Sequence, residues 1–400
     1  VGLLALACAV TSLGAAENAT PEPAIPKLPA FSGAEGYGSI ATGARGRKVI
    51  AVANLQPAGP GSLRTAIDPK GQRIVVFRVS GTIEGTFEIK HGDITIAHQT
   101  APGDGICIKG NLAVGASNVI ILHLRCRQNT AINAEDDAIG GRFQHDIIVD
   151  HVSASWSGDE VMSFYHNRNV KIQMYMISEA CAKFIDGKNT GHQFGGILGN
   201  NYGTYHHNLI ADNVSRNPRW ASGCRYNDYR NNVVYNWKYR SSYGGEAGEP
   251  NAAQFNFSTI NTVANYYKPG PATEKAVRSE IVAPDGRSSS DRGSWYVSGN
   301  VAEGSPEVTV DNWKGVKGNS YVKLESPWKA MPIREANPAG CLRCGPGSGR
   351  LLEANLRFVG RDHYSGCRSW HGDVWCQRHS DSCCRCRRLA GAQESACAEG

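Results

Sequence analysis

Thr204-Tyr205-His206-His207-Asn208-Leu209-Ile210 is followed one period later by Asp228-Tyr229-Arg230-Asn231-Asn232-Val233-Val234, and the two stretches place Asn208 and Asn232 alike. Each reads as a short strand, a polar corner and a second apolar step. The same pattern recurs upstream at Ile74-Val75-Val76-Phe77, Ile94-Thr95-Ile96-Ala97, Val119-Ile120-Ile121-Leu122, Ile147-Ile148-Val149-Asp150 and Val170-Lys171-Ile172-Gln173. The later strands begin at residues 119, 147, 170, 204 and 228, a recurrence of 23 to 34 residues. Short strands at such a period indicate a solenoid, in which no coil buries its apolar face alone and stacked coils share one core. Long helical patterns are nearly absent and the strands are rich in β-branched residues, so the expected fold is all-β, a parallel β-helix. Asparagines stacked at a corner would hydrogen-bond from coil to coil. Ser62 to Asp68 reads as a short helix with Ser62 as N-cap, expected to cover the open N-terminal end. A β-sandwich is the alternative architecture, disfavoured by the scarcity of two-residue hairpin turns.

Eight residues after Asn208 stands Arg216-Asn217-Pro218-Arg219. Proline fixes φ and removes a backbone donor, so Pro218 is expected to end the strand and to hold two guanidiniums in a defined loop, a site suited to a polyanion. Tyr205-His206-His207-Asn208 followed by Arg-x-Pro resembles polysaccharide lyase family 1, the pectate lyases. Further matches, in the family's order, are Phe31-Ser32-Gly33-Ala34-Glu35-Gly36-Tyr37-Gly38, Gly59-Pro60-Gly61-Ser62-Leu63-Arg64, Gln99-Thr100-Ala101-Pro102-Gly103-Asp104-Gly105 and Val149-Asp150-His151. The likeness covers roughly residues 31 to 316. It implies the same β-helix, a right-handed parallel one, with de-esterified polygalacturonate as substrate and Ca²⁺ as cofactor.

The chemistry implied is β-elimination. The proton to be removed sits next to a carboxylate that is already negative, so a site must neutralise that carboxylate, take the C5 proton and help the C4 oxygen leave. A hard cation held by carboxylates performs the first task, and Ca²⁺ prefers oxygen ligands. The acidic run Glu135-Asp136-Asp137 precedes an apolar Ala138-Ile139 step, as a ligand pair does in the family. Asp137 matches best, with Glu135 or Asp136 as its partner. In Gly158-Asp159-Glu160-Val161-Met162-Ser163, Asp159 fits the first position of the family's second ligand segment, whereas Ser163 occupies a usual acidic position. That loss removes a negative charge from the cage and hands a coordination place to water, to Glu160 or to the substrate. The plain alternative is that these acids solvate turns.

Arg216 matches the family's catalytic base. A guanidinium is protonated up to about pH 12, so this role implies an alkaline optimum; a clamp that stabilises the carbanion would use the planar fork as it is. Arg219 is expected to bind a neighbouring carboxylate of the substrate. Lys188, with Lys183 as the alternative, is the candidate for the family's substrate-binding lysine. Asp150 and His151 are expected to be buried structural groups supporting the loop.

The bulk properties fit an exported protein. Val1 to Ala16 is small and apolar and reads as a partial signal peptide, with 17–30 as linker and 31–320 as the catalytic β-helix. The formal charge is +6, but residues 341 to 400 hold nine Arg, no Lys and six acids, so half of it belongs to that end. The body is only mildly basic and lacks the Arg-rich aromatic runs of nucleic-acid binders. Eight of the thirteen cysteines also fall in the last sixty residues, without a consistent four-ligand zinc spacing. The composition changes near Glu335, and 335–400 reads as a disordered or non-native tail translated in a shifted frame, with a small cysteine-rich module as the alternative. The chain is expected to act as a monomer on an acidic polysaccharide, without a stable membrane anchor. Asn18, Asn213 and Asn256 stand in Asn-x-Ser/Thr contexts. The rival functions are a polygalacturonase-type hydrolase, using the same acids as acid and base, and a non-catalytic pectin-binding β-helix.

Overall fold

The computed structural model describes residues 28–128, 136–182, 184–185, 188–250 and 254–333. Within them, twenty-four strands join one sheet that winds into a parallel β-helix with three faces. The first face runs from Lys48–Val52 through Arg73–Phe77, Ile94–Ala97, Val119–Leu122 and His145–Asp150 to Arg225–Arg230, Ser258–Val263 and Gly293–Ser298. The second includes Arg125–Arg127, Ser153–Ser155, Met176–Ser178, Leu209–Ala211 and Val233–Tyr235. The third includes Ile139–Arg142, the first half of Glu160–Gln173, the first half of Phe194–His206, Arg219–Trp220 and Tyr243–Gly244. Pairing is parallel on all three, and the antiparallel hairpin of Phe184–Ile185 with Lys188–Asn189 is a side excursion, so the sandwich alternative falls.

Register explains why the recurrent apolar runs are compatible. On the first face Val75, Ile96, Ile121, Val149 and Ile172 stack in line, and Tyr205 and Tyr229 continue the column. All seven are buried. Each residue therefore hides its side chain against the like residue of the coil above and below, which no isolated coil provides.

The expected asparagine stack is present and longer than the two residues that announced it. Asn208 donates from its amide nitrogen to Asn232 Oδ1 (2.9 Å), Asn232 to Asn265 (2.9 Å), Asn265 to Asn300 (3.0 Å) and Asn300 to Asn312 (3.1 Å). The same oxygens accept the backbone N–H of the preceding asparagine, as from Asn208 N at 3.0 Å. A second ladder joins Asn167, Asn200 and Asn227.

The expected helix is Leu63–Ile67, with the Ser62 side chain accepting from Thr65 N (3.3 Å). Leu63, Ala66 and Ile67 are buried against the first coils. Pro306–Val310 contributes Val308 to the other end of the core. No helix of the described residues is long and apolar enough to cross a membrane. Residues 1–27 and 334–400 lie outside the described residues, and with them the signal-peptide segment, Asn18 and the cysteine-rich tail. Cys126 and Cys224 are buried free thiols. Asn213 is buried and donates to Asn217 Oδ1 (3.2 Å), so its amide is committed to a corner and closed to glycosylation.

Candidate active site

The third face is entered, coil after coil, through a turn from the second, and successive entry turns deliver charged or aromatic residues next to one another. Asp137 ends the turn before Ile139–Arg142. Asp159 and Glu160 do so one coil on, at the start of Glu160–Gln173. In the next coil Phe194 pairs with Glu160, and in the one after it Ser215 bridges to Phe194, which sets Arg216 beside them.

The ligand atoms of Asp137, Asp159 and Glu160 all lie within 4.8 Å of one another. Glu160 is buried and the two aspartates are partly buried. Burial pushes the Asp137 carboxyl up to about 7. A hydrogen bond from Ser163 and the charge of Arg142 oppose this, and the charges of Asp159 and Asp136 add to it. His192 Nδ1 lies 3.2 Å from Asp159 Oδ1. An all-oxygen donor set with mutual repulsion fits a hard cation, because the repulsion that costs stability alone becomes attraction toward a divalent charge. The smallness of Gly140 keeps the place open: a Cβ there would meet Ser163 O at 2.7 Å and Asp137 Oδ2 at 3.2 Å.

Ser163, the residue at a usual acidic position, pairs across the ladder with Gly140 and Ile197 and hydrogen-bonds Asp137. Glu160, three residues earlier, is the third carboxylate of the cluster. Asp136 is exposed, with Asn111 Nδ2 3.5 Å from its Oδ2, and stands at the rim of the cluster. Glu135 lies outside the described residues.

Arg216 reaches back to form an ion pair with Glu160. Its guanidinium also lies 3.9 Å over the ring of Phe194, a cation–π contact that orients the plane. Its backbone is left-handed, φ +58°, and its carbonyl accepts from Gly196 N (2.7 Å), so the turn is anchored to the preceding coil. Pro218 does not end the strand that carries Tyr205 and His206. That strand stops at His206, Leu209–Ala211 intervenes on another face, and Pro218 instead leads into Arg219–Trp220.

Arg219 projects from the same face but is committed within the chain. It forms a fork with Glu246, Nη2 to Oε1 at 2.8 Å and Nη1 to Oε2 at 3.1 Å, and Ser222 Oγ donates to the same carboxylate (3.1 Å). Lys188 lies on the hairpin excursion that precedes Phe194, and Lys183 is outside the described residues. Asp150 and His151 belong to the first face. Asp150 is buried, accepts from Gln173 Nε2 (2.8 Å) and contacts His151 Nδ1; His151 stacks on His123 at 4.6 Å. Of the two groups expected to be buried only Asp150 is; His151 is exposed, in the turn that follows the strand. Phe194 and His192 gave no signal in the sequence, since one aromatic in a glycine-rich run becomes meaningful only once Glu160 and Phe194 are known to share a rung.

No family model matches the chain. It is 39% identical over 253 residues to a protein named probable pectate lyase C of Aspergillus flavus, covering 62% of this chain and 56% of that protein. It is 39% identical over 250 residues to the probable pectate lyase C of Aspergillus oryzae, 61% of this chain and 55% of that one. The chain thus spans little more than half the length of these curated relatives. Among solved structures, a pectate lyase studied for its substrate specificity and anti β-elimination mechanism superimposes with a TM-score of 0.53 at 13% identity, over 83% of this chain and 97% of its own. The major cedar-pollen allergen jun a 1 superimposes with a TM-score of 0.51 at 17% identity, over 80% and 91%. At such identities these likenesses are of fold, and they agree with the three-faced helix.

Proposed function

We propose that this β-helix is a pectate lyase, secreted, cleaving de-esterified polygalacturonate by Ca²⁺-assisted β-elimination. The observation that carries the reading is the convergence of three carboxylates from two successive coils, within 4.8 Å, on an arginine from a later coil. Asp137, Asp159 and Glu160 would hold the ion. When bound, Ca²⁺ supplies a counter-charge for the substrate carboxylate.

The chain's own groups do the rest. Arg216, its plane set by Phe194 and its turn by Gly196, acts at C5. In its neutral form, reached at alkaline pH, it takes the C5 proton; the electron pair of that C–H bond becomes the C4–C5 double bond as the C4–O bond breaks, and the C4 oxygen leaves with the other half of the polymer, protonated by water. Arg219 is a weaker candidate for direct contact than its position suggests, because a substrate carboxylate would have to compete with Glu246 for the fork. Lys188 remains a proposed substrate ligand by its place on the excursion that precedes Phe194 in the chain. The test is to incubate the protein with polygalacturonate with and without Ca²⁺ and to follow the ultraviolet absorbance of unsaturated ends. Ion-dependent absorbance supports the reading, and reducing ends without absorbance would establish hydrolysis instead.

A polygalacturonase-type mechanism is disfavoured by the same geometry. Inverting hydrolysis needs carboxyl groups about 6.5–9.5 Å apart to admit water. Here the acids are packed more closely, and Glu160 is paired with a cation.

A further inference from the structure

Two residues beyond Gly140 on the same strand, about 7 Å along it, Arg142 leaves the acidic cluster and lines the far wall of the same cleft, a space of about 360 Å³ that also takes in Asp137, Asp159 and Tyr165. Arg142 is exposed, and its guanidinium lies 4.8 Å from the centre of the Tyr165 ring, on the next coil in the same rung. It also hydrogen-bonds the Tyr165 hydroxyl. The following residue, Phe143, is 65% exposed and has φ +58°. A bulky side chain in the left-handed region is uncommon and costs conformational energy, and a large exposed ring loses burial as well. That ring is backed by His166 at 6.0 Å and Phe255 at 6.2 Å, which stack on each other at 4.3 Å. His166 is fixed by its contact with Ser222 O (2.7 Å). The outcome is an aromatic shelf that begins at the residue next to Arg142, itself part of the cleft wall. Glu249 adds negative charge near Tyr165 and His166, and Arg142 supplies the positive charge against it.

We infer that Arg142, lying over Tyr165, and the outward ring of Phe143 form a binding subsite for a second uronate of the bound polymer, adjoining the sugar at the acidic cluster. A guanidinium fork matches a carboxylate, and an aromatic face matches the apolar face of a sugar ring. The cleft is continuous from Asp137 to Tyr165, so one chain can occupy both places. This subsite rests on the polygalacturonate reading of the cleft, yet it concerns binding rather than bond cleavage.

Calorimetric titration of oligogalacturonates of increasing length, with Ca²⁺ withheld so that binding is read without bond cleavage, into the wild type and the Arg142→Gln and Phe143→Ala variants, tests it. Loss of a charge-assisted contact should weaken binding by Arg142→Gln about tenfold or more, with Arg142→Lys restoring part of it. The difference should be absent for the shortest chains and appear once a chain is long enough to reach the shelf. Phe143→Ala should show the same length dependence without loss of thermal stability, since its ring is mostly exposed. Equal affinity of wild type and both variants at every length overturns the subsite, and no binding by the wild type at any length overturns both it and the substrate assignment. Binding with the expected length dependence, but no unsaturated product from the wild type once Ca²⁺ is supplied, would count against the lyase reading alone and leave the subsite standing.

Discussion

Among single residues, Asp137 makes the clearest claim. Its carboxyl is pushed up to about 7, chiefly by burial, against an ordinary value of about 3.9. The native state therefore binds more protons than the unfolded chain between roughly pH 4 and pH 7, and the ion-free protein loses stability as pH rises through that window. A divalent ion competes with the proton for the same oxygens. Thermal unfolding should thus show a Ca²⁺-induced rise in Tm that is larger at pH 8 than at pH 5, and Asp137→Asn should remove it while raising the Tm of the ion-free protein at pH 8. An equal Ca²⁺ response in the variant would refute the ligand role. Arg216→Lys keeps the charge but loses the planar fork over Phe194. It should lower the rate of unsaturated-end formation by at least ~10²-fold, on the scale typical for a catalytic proton-transfer group, with Tm unchanged. Asp137, Asp159 and Arg216 were legible because each follows a local pattern. Glu160 was visible only as a substitute for the acid missing at Ser163, and the fork of Arg219 with Glu246 was not visible, since it spans a whole coil whose length the sequence does not reveal.

At the level of the element, the corner asparagines hold the coils in register. Asn232 is fully buried, accepts from Asn208 and donates to both Asn265 and Tyr205 O (3.0 Å). Asn232→Ala would strand the Asn208 N–H and the Tyr205 carbonyl in a dry interior, and each unsatisfied group costs about 1–3 kcal/mol. A loss of about 3 kcal/mol or more in denaturant unfolding is expected. A loss below about 1 kcal/mol would mean that water or a shifted neighbour serves the corner instead. Two rungs of this ladder could be read from aligned Asn-apolar steps. Asn312 could not, because the final rung is supplied by a short helical turn with no strand pattern. The same limit misplaced Pro218: strands were recognisable, but which of three faces each one occupies depends on the turns between them.

Over the whole molecule, a β-helix has no single nucleus that all parts share. Each coil touches its neighbours, so damage at one end should remain local. The N-terminal end is closed by Leu63–Ile67, with Leu63 and Ile67 buried against the opening coils, while the acidic cluster and Arg216 lie several coils further on. This nearest-neighbour character was legible from the recurrence of short strands; the shape of the lid was legible only as far as Ser62 and the helix it caps. Leu63→Ala removes a buried side chain, at a cost of about 2–5 kcal/mol, and loosens the cover over the edge of Lys48–Val52. Hydrogen exchange should then accelerate in Lys48–Val52 and Arg73–Phe77, while Phe194–His206 and Arg225–Arg230 keep their protection and the initial rate on polygalacturonate at low temperature stays unchanged. The freed edge carries unpaired backbone groups and an apolar run, so the variant should also aggregate faster on warming. Uniform loss of protection along all coils would instead show that the helix unfolds as one cooperative body, and the nearest-neighbour account of its stability would have to be abandoned.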